Sequence, residues 1–283
     1  MKSSLKFQLK TMLNSKGFNI SILLMCIYAV AVPIFYAVQF TNSDINEVPA
    51  AYSFFIGSSL CIIPNRIFYA LIPLMVALPF ADSYFTDRQN KTIYAVLSRC
   101  SKNNYYYGKL ICVYISGFIV IFFPLIINYL INFAVFPVDS TVEFYKGFGQ
   151  IQNQLYLQRY IDNGGCIFFK HLFFTNQYLY ELVFLFIASF FAGLFSVIIY
   201  QFSFFYKGNR IMLNALFFIV FNVVDLILGV LRVPWGITLD NYISSGQSYG
   251  YQNYTVFFIL LTVCIIAAFA PIPLARRKLN EII

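Results

Sequence analysis

Five polar side chains stand where their surroundings are most apolar: Asn128 and Asn132 in one aliphatic and aromatic run, and Asn214, Asn222 and Asp225 in another. At 100° per residue, Asn214, Asn222, Asp225 and Gly229 fall within about 80° of one another on a helix, and Gly117, Pro124, Asn128 and Asn132 do the same. Amides so placed can bond across helices or line a wet path. The Asp225 carboxylate would cost roughly 2.5–3.5 kcal/mol against lipid at mid-bilayer, so it must face protein or water. Arg232 shares its face seven residues on; a structural pairing of the two outweighs a substrate- or proton-coupling role for Asp225. A second charged group, Asp87, Arg88, Lys91 and Arg99, lies within Phe80–Leu110. Nothing in the chain has the pattern of catalysis. There is no HExxH, no Ser, His and Asp constellation and no pair of intramembrane glutamates. The phosphate-binding GxxxxGK[ST] is missing too, since Gly108-Lys109 is followed by Leu. Six cysteines without CxxC spacing and one histidine, His171, offer no metal-ligand set. The expectation is a non-enzymatic chain without a cofactor of its own.

The elements that must position these residues follow from composition. Sixty per cent of the 283 residues are hydrophobic and 11% charged, against roughly a quarter charged in a soluble domain. A bilayer accepts that much apolar surface; a soluble core does not. About 20 helical residues cross the hydrocarbon layer. Six segments qualify: Phe18–Phe40, Ile67–Phe85, Leu110–Phe136, Tyr178–Tyr200, Ile211–Leu231 and Tyr254–Leu274, the second interrupted by Pro73 and Pro79. Ala51–Ile63 is too short to cross and reads as an interfacial or re-entrant piece, leaving Cys61 and Cys166 on one face, paired or free. Ala29-Val30-Ala31 resembles a cleavage site, but the apolar run continues to Phe40, so an uncleaved first span is expected.

Charge is sorted by loop. With the N-terminus inside, Lys2, Lys6, Lys10, Lys16, Arg88, Lys91, Arg99, Lys102, Lys109, Lys207, Arg210, Arg276, Arg277 and Lys278 all fall inside, while Glu181 and most other acids fall outside. Both termini are therefore expected in the cytoplasm, and the net charge of +8 reflects orientation rather than nucleic-acid binding. Ahead of the first span, Leu5, Leu9, Met12 and Leu13 recur at helical spacing opposite Lys2, Lys6 and Lys10. This predicts an amphipathic elbow helix over residues 1–17, ended by Gly17, before a single six-span domain over 18–283. Small residues every fourth position (Ala188, Ala192, Ser196; Ser189, Gly193) read as helix packing. No internal repeat supports an inverted-repeat carrier.

Between spans two and three, Ile93, Val96, Leu97 and Cys100 lie at i, i+3, i+4 and i+7. They predict a short two-faced helix with Arg88, Lys91 and Arg99 solvated. Ser101 is placed to cap the next helix, and Tyr105, Tyr106 and Tyr107 to sit at headgroup depth. A simple loop needs only turn residues; a two-faced helix suggests contact with a cytosolic body.

In this order of parts the chain resembles the type-2 ABC exporter permeases. The resemblance rests on the basic segment LKFQLKTMLNSKGF, on TDRQNKTIYAVLSRCSKNNYYYGK after the second span, and on six spans with both ends inside. It covers the architecture of nearly the whole chain, but only about 25 residues in motif, as judged by element order. Asp87 and Asn90 stand where that family often has Glu and Gly. The resemblance implies an all-α multi-pass permease of a bacterial cell membrane, exporting an amphipathic cargo such as a peptide antibiotic or lipid-like molecule. It would pair with a second or homologous permease and be driven by a separate cytosolic ABC ATPase that holds ATP and Mg. Asp87, Arg88, Lys91, Ile93, Val96, Leu97 and Arg99 would couple to that ATPase, Ile93, Val96 and Leu97 seating in its cleft. Asn128, Asn132, Asn214, Asn222 and Asp225 would line a pathway or interface. Two other classes compete: a membrane sensor or immunity protein binding an extracellular ligand, and an ion-coupled carrier using Asp225.

Overall fold

The computed structural model describes residues 2–58, 60–98, 100–140, 168–206, 208–231, 239–245 and 253–281. Every regular element among them is helical: α1 Lys2–Leu13, α2 Lys16–Gln39, α3 Ile62–Val76, α4 Ser83–Gln89, α5 Thr92–Leu97, α6 Lys102–Val135, α7 Lys170–Thr175, α8 Gln177–Ser203, α9 Arg210–Val230, α10 Asp240–Ile243, α11 Tyr254–Phe269 and α12 Ile272–Glu281. Six segments are long and apolar enough to cross a membrane: α2, α3 with the turn after it, α6, α8, α9, and α11 running into α12. The chain is a multi-pass helical membrane protein. At 34 residues α6 runs about 51 Å, well beyond a hydrocarbon layer of roughly 30 Å. Part of α6 therefore extends past the apolar layer.

In lipid, apolar burial gives helices little reason to associate, so close backbones and internal hydrogen bonds must hold the bundle. The α6–α8 seam uses both. A methyl on Gly117 would lie 2.6 Å from Ser196 Cβ, and one on Gly193 would lie 2.7 Å from the Tyr114 ring. Ser196 Oγ donates to the Val113 carbonyl at 3.0 Å and to Val76 at 3.3 Å. The small-residue stripes of α8 thus serve packing, as their spacing predicts. Most side chains of α9 and α11 point outward and apolar, as they should against acyl chains.

The second span begins earlier than its hydropathy predicts, at Ile62 rather than Ile67. It accommodates Pro73 within α3, then relaxes into a π-turn over Ala77–Ala81 that holds Pro79. A broken ladder leaves carbonyls to be satisfied from elsewhere. Ser196 reaches Val76, and Ser15 donates to the Pro79 carbonyl at 3.0 Å. The same Ser15 caps α2, accepting from Phe18 N. Gly17 does not end α1, as the sequence predicts. It lies inside α2, where a methyl would overlap the Leu78 carbonyl, so the glycine permits close approach of α2 to the π-turn. On α1, Leu5, Leu9 and Met12 face the core and Lys6 and Lys10 face outward as expected, but Leu13 is exposed and Gln8 is buried in its place.

The stretch Ala51–Ile63, expected as an interfacial or re-entrant piece, divides: Ile62 and Ile63 open α3, and the described residues before them fold inward. Residues Ala50–Ser58 are buried within the protein, with Phe54 stacked on Phe136 at 3.8 Å and Ala51 N bonded to the Pro137 carbonyl. Cys61 is a buried free thiol donating to the Phe54 carbonyl; Cys166 lies outside the described residues.

Candidate functional site

The site with the most chemistry is the joint between spans two and three. After the π-turn, α4 and α5 form two short helices separated at Lys91, whose φ of 57° and ψ of 11° are left-handed. Non-glycine residues rarely adopt that conformation. It turns the chain sharply enough for α5 to fold back beneath α4. Ser101 then caps α6 as predicted, accepting from Asn104 N at 3.4 Å.

The turn is locked by one ion pair. Lys109 Nζ bonds to Asp87 Oδ2, and Tyr105 donates its hydroxyl to the same oxygen at 2.6 Å. Lys109 also donates to the Tyr105 hydroxyl at 3.1 Å. Thr92 Oγ1 reaches the Asp87 carbonyl and Oδ1 at 3.3 Å. Lys109 is 1% exposed and Asp87 26%, so the ammonium is taken out of water while its partner keeps a wet edge. The Phe80 and Tyr105 rings lie 5.5 and 5.1 Å from the ammonium and add cation–π attraction. Buried Asp82 attracts it further, and Asn214 Nδ2 of α9 donates to Asp82 Oδ2 at 3.4 Å. One connected set of charges therefore ties α4, α5, α6 and α9 to the end of the π-turn.

Aromatic contacts stiffen it. Tyr84 of α4 stacks on Phe204, which follows α8, at 3.7 Å and 20°. Burial pushes the Tyr84 phenol up to about 12, so the hydroxyl stays protonated at any physiological pH. Tyr106 donates to Gln201 Oε1 at 2.8 Å, and Gln201 Nε2 donates to the Ala268 carbonyl, joining α6, α8 and α11. Arg276 of α12 bonds to Asn103 at 2.7 Å and lies over the Tyr107 ring at 5.7 Å.

Several residues singled out in the sequence meet here. Of the three tyrosines, Tyr105 and Tyr106 are fully buried and cross-link helices, and Tyr107 reaches the surface. The apolar side of α5 packs largely against this chain. Ile93 is 0% exposed inside this chain's own core, and Val96, Leu97 and Cys100 pack against it half-buried. Asp87 is likewise engaged internally, by Lys109 and Tyr105. What the joint presents outward is Arg88, Lys91, Tyr94, Ala95 and Ser98. Arg99 lies outside the described residues.

The two asparagine faces meet different neighbours within this chain. Asn128 accepts from Ile56 N at 3.1 Å and donates to the Ala29 carbonyl at 2.9 Å, with Asn132 donating to it at 3.3 Å. That face pins α2 and the Ala50–Ser58 segment onto α6. Asn222 donates to the Ala70 carbonyl at 3.3 Å, and Asn214 bonds Asp82, so that face hangs α9 on α3 and α4. The Asp225 side chain and Arg232 lie outside the described residues.

Two groups escaped the sequence reading. Lys109 looked like one more inner-loop cation; its i+4 spacing from Tyr105 was the available signal. Glu181, counted with the outer loops, is buried in the first turns of α8, where Ser245 donates to Oε2. Beside it Asn65 donates to Ser244 Oγ at 2.8 Å, and Ser244 to the Gly57 carbonyl at 3.1 Å. These bonds clamp the opposite end of the bundle. No group of His, Cys, Asp and Glu able to hold a metal occurs among the described residues. Comparison of the chain with protein-family models, curated proteins and solved structures returns no match.

Proposed function

We propose that the chain is the membrane-spanning permease subunit of an ATP-driven exporter in a bacterial cell membrane. It would act with a second permease and a separate cytosolic ATPase that carries ATP and Mg. One observation carries this reading: α4 and α5 form a folded lever between the second and third spans. The lever is bolted to α6 and α9 through Asp87, Lys109, Tyr105 and Asp82, and Arg88, Lys91, Tyr94, Ala95 and Ser98 are turned outward. A mere connection needs no such bracing. A lever that must pass force from a soluble engine to the spans does, because a coupled motion requires an element that both bodies bias. The burial of Ile93 moves the proposed contact from the apolar side of α5 to its outward polar side.

An apolar groove of about 270 Å³ lies between α3, α8, α9 and α11, bounded by Pro73, Phe195, Phe217, Phe221, Leu228 and Leu260. It suits the apolar part of an amphipathic cargo.

The test is purification of the native complex in mild detergent, with every polypeptide identified. Wild type should bring down a nucleotide-binding subunit in stoichiometric amount. Ala95→Arg should insert normally and lose it, while Leu97→Asp should also loosen the fold because Leu97 packs on the core. Recovery of the wild-type chain without any ATPase would overturn the proposal.

A further inference from the structure

A second groove lies at the same end of the bundle as the lever, between the C-terminal end of α8 and the α11–α12 junction. It measures about 400 Å³ and is bounded by Gln201, Phe202, Phe205, Ala270, Pro271 and Leu274. Its shape is fixed by strong local bonds. Gln201 is buried and spans from Tyr106 to the Ala268 carbonyl. The break between α11 and α12 falls at Ala270 and Pro271, where Pro271 accepts from Ala275 N at 2.9 Å, and the notch lies there beside the Phe202 and Phe205 rings.

The lip of this notch is cationic. Lys278 Nζ lies 5.5 Å from the Phe205 ring, and Arg277, one residue earlier on α12, is exposed. Arg277 and Lys278 make no ion pair among the described residues; the side chain of Glu281, one turn on, lies outside them. Arg276 is committed elsewhere, to Asn103 and Tyr107. Ala275 and Leu279 are buried, which anchors α12, leaves Arg277 on its outer side and puts half-buried Lys278 at the flank beside Phe205.

We propose that this notch binds an anionic phospholipid. Its acyl chain lies along Phe202, Phe205 and Leu274, and its phosphate is held by Lys278 and Arg277. The two halves of the ligand call for the two halves of the site. An apolar chain alone gains nothing from the cations at the lip, and a soluble phosphate gains nothing from the aromatic floor. Juxtamembrane cations beside a gap between helices recognise acidic headgroups through this combination. Arg276 joins the same α12 to the first turn of α6, so the bound lipid would brace the helix that carries Tyr105 and Lys109.

The experiment uses the isolated full chain in detergent, without any ATPase, so its outcome is independent of the permease reading. Retained lipid is measured by native mass spectrometry during titration with phosphatidylglycerol or phosphatidylcholine of equal chain length, and with glycerol phosphate as the headgroup alone. Wild type should retain phosphatidylglycerol about tenfold more tightly than phosphatidylcholine, equivalent to roughly 1.4 kcal/mol, and should not retain glycerol phosphate. Arg277→Gln with Lys278→Gln, both at the surface, should reduce that preference to below about twofold. Ala270→Trp, which fills the notch, should weaken both lipids alike. Equal retention of the two lipids by wild type would overturn the proposal. So would a preference unchanged in the charge variant, or glycerol phosphate binding as well as the whole lipid.

Discussion

Neutralising either end of the Asp87–Lys109 pair should destabilise the chain by different amounts, and the structure says which end costs more. Asp87→Asn leaves an ammonium that is 1% exposed with only the Tyr105 hydroxyl and two ring faces. Breaking a buried pair from one side typically costs 3–5 kcal/mol, and the remaining attraction of Asp82 places this case near ~3 kcal/mol. Lys109→Met leaves the Asp87 carboxylate, which is 26% exposed and keeps Tyr105, Thr92 and water. Screening and the surviving donors reduce that loss to about 1–2 kcal/mol. The double variant removes both charges together and should cost no more than Asp87→Asn alone, giving a coupling of at least ~1 kcal/mol. Detergent-purified protein titrated with dodecyl sulfate and followed by far-ultraviolet circular dichroism measures all four corners of the cycle. If Lys109→Met proved as costly as Asp87→Asn, or the double variant equalled the sum of the singles, the buried-ammonium account of this joint would be wrong.

Lys91→Gly should stabilise the chain by about 0.5–1 kcal/mol, since glycine adopts the left-handed turn without the side-chain penalty but loses more freedom on folding. Lys91→Ala in the same titration should show no gain, and equal midpoints for the two would remove the strain argument. Gly17→Ala should destabilise by about 2–3 kcal/mol, because its methyl meets the Leu78 carbonyl and the α2–π-turn joint must open; an unchanged unfolding midpoint would refute the close approach.

The sequence alone determined the class of protein and the rough number of spans. Hydropathy sums along the chain, and a run such as Tyr178–Tyr200 has no stable place other than a bilayer or a fully buried core. It also determined where a helix starts when the signal is local: Ser101 caps α6 from three residues away. The periodicity of Asn128 with Asn132, and of Asn214 with Asn222, correctly marked faces that avoid lipid. Periodicity gives a direction around one helix axis and nothing about which neighbour stands there. Asn128 finding Ala29 and Ile56, and Asn214 finding Asp82, are contacts between residues far apart in the chain. The lever shows the same limit. Its apolar stripe at Ile93 was legible, but a buried side of a short helix fits this chain's own core as well as a partner's cleft. In the folded chain Ile93 is buried in its own core, and the left-handed turn at Lys91 and the Lys109–Asp87 pair hold α5 there. Tertiary structure likewise buried Tyr105 and Tyr106, whose hydroxyls find acceptors in Asp87 and in distant Gln201, contacts that spacing along one helix does not reveal.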